Sequence, residues 1–194
     1  MSQLNAVTYL QRLADIMLAT QVTDRNGAEM TLDEGGNKAV QMILDVGAAS
    51  RKVMLVGNGG SSSVVGHVQT DIIKCVGIKA MVFTEPSMLT AVSNDHGYET
   101  SYQRPVEWWA DEGDLILAVS SSGKSKNILN AVSEAVNRGC QAITLSGFEP
   151  DNPLRSLGDV NLYVANNSYG YVETAHAALT HFITDRAMEL YQSA

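Results

Sequence analysis

The stretch Val53-Met54-Leu55-Val56-Gly57-Asn58-Gly59-Gly60-Ser61-Ser62-Ser63 decides the fold. Its opening residues, 53–56, are apolar without interruption, as in a strand buried on both faces of a sheet. A glycine-rich turn follows, and residues 62–76 then carry a helical pattern. A buried strand that runs through a tight turn into a helix begins a β-α-β unit. The same short apolar run recurs at residues 80–83, 115–119, 142–145 and 160–164. Helical patterns fill the intervals at 87–93, 98–110, 125–138 and 172–191. Alternation of this kind predicts an α/β fold, a three-layer sandwich in which a five-stranded, mostly parallel sheet is flanked by helices. In such sheets the binding loops gather beyond the carboxyl ends of the strands.

Ahead of that core, residues 4–20 and 32–49 place apolar side chains at helical spacing and predict an N-terminal helical hairpin. Asp24, Asn26 and Gly27 mark the turn between them, and Gly35 with Gly36 should break or delay the second helix. With 194 residues, 45% of them hydrophobic, the chain reads as a single domain over 1–194, with a helical segment at 1–50 and an α/β core at 51–194. Against 13 basic residues stand 21 acidic ones, a formal net charge of −8 that disfavours general binding to nucleic acid or to an anionic membrane surface. No apolar run reaches the roughly 18 residues needed to span a bilayer, and residues 1–20 lack a signal-peptide pattern, so the expected location is cytoplasmic. Cys75 and Cys140 form no paired motif and read as free thiols. Trp108 and Trp109 read as core or subunit contact.

Two loops carry the chemistry. Gly57, Gly59 and Gly60 let the backbone approach an anion, and the helix behind them offers free N–H groups and a partial positive end. Ser120-Ser121-Ser122-Gly123-Lys124-Ser125 likewise leads from a strand into a helix, so hydroxyls and amides of both loops can meet on one phosphate. The bland alternative is two ordinary turns with serine N-caps. A dinucleotide fingerprint fails because its last glycine position is Ser62, and a P-loop fails because its first is Ala118. No nucleotide cofactor is expected.

Three of the four histidines lie beside carboxylates in helical stretches. His67 and Asp71 are one turn apart and share a face, as do Glu173 and His176, while His181 lies on the other side of that last helix from His176. A carboxylate and an imidazole beside a bound sugar phosphate suit aldose–ketose isomerisation, and two of each also suit zinc or a similar ion polarising the carbonyl. On one continuous helix, however, Glu173 and His181 are about 12 Å apart along the axis. One ion reaches both only if Glu173 precedes the helix or a second subunit supplies a ligand. His96, in the Asn94-Asp95-His96-Gly97 turn, reads as structural.

Taken in order, Gly57-Asn58-Gly59-Gly60-Ser61, His67, Asn94-Asp95-His96-Gly97-Tyr98, the serine loop at 120–125, Glu173-Thr174-Ala175-His176 and His181 resemble the sugar isomerase (SIS) domain family, closest to its phosphoheptose isomerase branch. The resemblance implies a cytoplasmic homotetramer with active sites between subunits, converting sedoheptulose 7-phosphate to D-glycero-D-manno-heptose 7-phosphate for surface polysaccharide. By position it implies a substrate site at Asn58, Gly59, Gly60, Ser61, Asp71, Asn94, Asp95, Ser120, Ser121, Ser122, Ser125 and Glu173. It places the catalytic base on Asp71 and the acid on His181, and zinc, where present, on His67, Asp71, Glu173 and His181. The family's usual base is Glu where this chain has Asp71, and its usual Gln stands at Glu173. Two other roles occur in this fold: a noncatalytic tetramer that docks proteins, as in the replication-initiator-binding relatives, and a sugar-phosphate sensor.

Overall fold

A computed structural model describes residues 5–192; position 4, where the first predicted helix starts, and positions 1–3, 193 and 194 lie outside them. All five predicted core strands are present: β3 (Lys52–Gly57), β4 (Lys79–Val82), β5 (Leu115–Ser120), β6 (Gln141–Gly147) and β7 (Val160–Val164). They pair in parallel in the order β7-β6-β5-β3-β4. Among the described residues the sheet nevertheless has seven strands, not five. The expected turn around Asp24 and Gly27 is a short antiparallel hairpin of β1 (Gln21–Thr23) and β2 (Glu29–Met30), which extends the sheet beyond β7. Strands this short leave no alternating pattern to read, and β1 joins the sheet on a partner more than 130 residues away, Thr23 opposite Asn161.

That hairpin separates α1 (Ala6–Leu18) from α2 (Leu32–Ala48), and both helices pack principally on the last helix, α7 (Tyr169–Gln192). The front segment is therefore two helices joined through sheet strands instead of a helical hairpin. Gly35 and Gly36 do not interrupt α2, which is capped by Thr31 and Glu34 in a reciprocal box. Both positions are buried where neighbours leave no room for a side chain: a Cβ on Gly35 would overlap Val22, and one on Gly36 would lie 2.7 Å from Phe182.

Side chains along β5 alternate between two cores, Leu115, Leu117 and Val119 on one face and Ile116 and Ala118 on the other. The first face is covered by α2, α3 (Gly60–Asp71) and α7, the second by α5 (Gln103–Trp109) and α6 (Lys126–Asn137). The predicted helix over 98–110 is a 3-10 turn at Tyr98–Thr100 followed by α5, whose Trp108 and Trp109 are more than half exposed. They are not core of this chain. Cys75 is half-buried and Cys140 buried, both free, and burial pushes the Cys140 thiol up to about 11. No helix of the described residues is long and apolar enough to cross a membrane.

Candidate active site

Strand order places the two serine and glycine loops together. β3 has β4 on one side and β5 on the other, so the connections leaving β3 and β5 part at this point and open a crevice at their carboxyl ends. Gly57 pairs in register with Val119, which puts Asn58 and Ser120 side by side. The crevice is a cavity of about 310 Å³ lined by Asn58, Gly59, Gly60, Ser61, Ser120, Ser121, Ser122, Ser125, Tyr169 and Glu173. Among the described residues its wall carries no cationic side chain.

Helix capping bears on the choice between an anion site and ordinary turns. The N-cap of α3 is Gly59, held at φ +54°, and that of α6 is Ser125; neither N-cap residue makes a side-chain bond to its helix. The first two N–H groups of each helix and the Ser125 hydroxyl are thus open to a ligand, while the third, of Ser62 and of Ile128, is bonded within the protein. Asn152 is anchored on the β6 side, donating to the Gly147 and Glu149 carbonyls at 3.2 and 2.9 Å, and the Leu154 N–H just beyond it donates to the Gly123 carbonyl of the loop after β5 at 3.2 Å. A Cβ on Gly123, at φ +60°, would overlap that Asn152 side chain.

A second group forms where α3 meets α7. His67 Nε2 lies 3.4 Å and His181 Nδ1 3.6 Å from the same Asp71 Oδ2, with the two imidazole rings edge to face at 5.0 Å. One ligand atom from each residue fits within 4.8 Å of the others. A single turn of π-helix, Ile72–Val76, follows Asp71, an irregularity of the kind that often accompanies functional sites and that no sequence pattern announced.

These two groups are not contiguous within one chain. Because α7 starts at Tyr169, Glu173 lies inside a continuous helix; it faces the cavity beside Gly60, while His181 is about 12 Å further along the axis. Asp71 is likewise about 15 Å along α3 from Ser61. Asn94 and Asp95, at the end of α4 (Pro86–His96), bond to each other at 2.8 Å and do not line the cavity. His96 closes α4 ahead of Gly97. His176 is fully buried on α7 against the Ser146 carbonyl, 3.1 Å from its Nε2, and burial lowers its pKa to about 4, so it is a neutral core residue. Sequence reading missed Tyr169, the first residue of α7, which lines the cavity and stands edge to face on Phe148; its only signal was an aromatic just ahead of the predicted last helix at 172–191.

Residues 10–147 match the SIS domain family, more than half of the chain. The chain belongs to the SIS-domain family. A curated phosphoheptose isomerase of Syntrophotalea carbinolica is 33% identical over 185 residues, covering 92% of this chain and 89% of its own length. That relative places the chain in the phosphoheptose isomerase branch. Among solved structures, the phosphoheptose isomerase of Neisseria gonorrhoeae superposes with a TM-score of 0.79 over 93% of this SIS chain and 95% of its own, at 24% identity. The enzyme of Francisella tularensis gives 0.80 over 94% and 96%, at 22% identity. At those identities the two likenesses establish the shared fold.

Proposed function

We propose that this SIS protein is a phosphosugar isomerase that interconverts sedoheptulose 7-phosphate and D-glycero-D-manno-heptose 7-phosphate in the cytoplasm, residues 1–194 acting as one domain. The observation that carries the reading is the uncapped pair of helix N-termini, α3 and α6, facing one serine-lined cavity. The phosphate would sit there, held by Ser61, Ser120, Ser122 and Ser125 with backbone N–H groups, while Asn58, Gly59, Gly60, Ser121 and Glu173 line the sugar. Asn94 and Asp95 are assigned to the sugar by family position alone.

Asp71 serves as base and His181 as acid. The Asp71 carboxylate removes a proton from C1 of the ketose as His181 protonates the C2 oxygen, giving an enediol. Returning a proton to C2 while the C1 hydroxyl gives up its own completes the aldose, so no atom or electron is gained or lost.

Two imidazoles and a carboxylate within 4.8 Å fit a zinc ion, for which His67, Asp71 and His181 would be ligands. Such an ion supplies Lewis-acid polarisation of a carbonyl. Glu173 is too far along α7 to join them from the same chain, which supports a homotetramer whose sites combine the cavity and Glu173 of one subunit with the His67, Asp71 and His181 group of another.

Incubation of purified protein with sedoheptulose 7-phosphate, followed by NMR, should show the aldose; no turnover with or without zinc overturns the enzyme reading. Binding without turnover would instead favour a sensor. Shared sites are tested by mixing Ser120→Ala/Ser122→Ala protein, assayed at substrate well below its raised KM, with His181→Ala protein. Recovered activity is expected, and none on confirmed subunit exchange removes the shared site. Anomalous scattering should find an ion beside His67 and Asp71 in zinc-loaded crystals; an empty position there removes the metal.

A further inference from the structure

Asn127, the second residue of α6, is 2% exposed and does not line the cavity. Its side chain nevertheless forms a reciprocal amide pair with Asn58, which does: each Nδ2 donates to the other's Oδ1 at 2.9 Å. The same Asn127 oxygen accepts from the Ile128 backbone N–H at 3.1 Å, and its amide also donates to Ser101 Oγ at 3.2 Å. The Tyr98 hydroxyl donates to Asn58 Oδ1 at 3.0 Å. Every polar atom of the Asn127 amide is thereby engaged on the protein's own groups, which leaves it no part in direct contact with a ligand.

The connections of these atoms matter more than their number. Asn58 is the first residue beyond β3, and its carbonyl accepts the Ser62 N–H at 3.3 Å, so its placement sets the start of α3. Asn127 lies two positions beyond Ser125 and is rigid with the start of α6. Ser101 and Tyr98 belong to the segment after α4. One buried amide thus spans the crevice from its floor and ties together the segments that follow β3, β4 and β5. In a buried setting such bonds are stiff, because breaking one leaves an unsatisfied amide away from water.

We propose that Asn127 is a positioning residue for the phosphate cavity: acting through Asn58, it holds the β3 and β5 loops at the separation one phosphate requires. The proposal rests on the phosphosugar reading above. Its test is a double-mutant cycle of Asn127→Ala and Asn58→Ala, measuring KM and kcat with sedoheptulose 7-phosphate and the melting shift caused by inorganic phosphate. Asn127→Ala should raise KM roughly tenfold, the scale of one lost buried hydrogen bond, and shrink the phosphate-induced shift, with kcat little changed. In the Asn58→Ala background it should add almost nothing, because the group it acts through is gone. A KM equal to wild type, a purely lower melting point, or effects that multiply in the double variant would overturn the proposal. Where Asn127→Ala does not fold, Asn127→Ser takes its place in the same cycle. Wild-type protein that neither turns over the sugar nor responds to phosphate would instead overturn the reading of the cavity, so the two failures are distinct.

Discussion

Replacing Gly57 by Ala tests whether the end of β3 and the start of α3 are locked together. A Cβ at Gly57 would lie 2.7 Å from both the carbonyl carbon and oxygen of Ser61 and 3.0 Å from the Ser62 nitrogen. These are backbone atoms, unable to rotate away. Ordinary contact begins near 3.4 Å, so strand and helix must separate by about 0.7 Å. β3 is held on both sides by β4 and β5, and its inner residues are buried, so the movement falls on the helix start that carries Gly60 and Ser61. Overpacking on this scale costs about 1–3 kcal/mol of stability. A shift approaching 1 Å in a positioned site costs up to roughly a hundredfold in rate. We expect kcat/KM for sedoheptulose 7-phosphate to fall between roughly tenfold and a hundredfold, and the melting point by several degrees. Gly66→Ala, in α3 with nothing within 4 Å of the added carbon, is the control for stability and should gain about 0.5–1 kcal/mol. A Gly57→Ala protein with wild-type kcat/KM and an unchanged melting point would refute the reasoning.

Ser120→Ala and Ser122→Ala should each raise KM about tenfold through a lost charge-assisted hydrogen bond, and an unchanged KM in the double variant would count against phosphate in the cavity. Asp71→Asn and His181→Ala should lower kcat by about 10²–10⁴ with KM close to wild type; steady-state kinetics that show the reverse pattern would remove their acid–base roles. His176 has a folded pKa of about 4 against 6.5 for a free imidazole, so the unfolded chain takes up a proton that the folded one refuses. Its contribution is complete above pH 6.5 and is lost as pH falls toward 4, up to about 3 kcal/mol. Urea unfolding at pH 7 and pH 4 should show this difference in wild type and less of it in His176→Gln; equal pH dependence in both would exclude His176 as the source.

Which parts of this protein its sequence reveals follows from the range of the interactions involved. The short, largely apolar runs at β3, β5, β6 and β7 are local patterns, and each became a buried strand where it was expected. The glycine and serine loops were legible for the same reason, since strand, turn and helix are neighbours along the chain. β1 and β2 were hidden because they are short and join the sheet only where β1 meets the distant β7, and the role of Gly35 and Gly36 because it depends on Val22 and Phe182 from other elements. Asn127 gave no signal at all, since its partner Asn58 is 69 residues away.

The sequence by itself determined that a parallel α/β sheet would present two anion-suited loops, and that His67 and Asp71 would share a helix face, because these depend on periodicity and short spacing. Only the tertiary structure decided that the loops flank one crevice, that His181 completes the His67 and Asp71 group, and that His176 is buried in the core. It also decided that Glu173 stands apart from that group, since a helix that begins at Tyr169 fixes their separation along its axis. Strand order and helix crossing bring distant parts of the chain together, and neither is written in any local pattern.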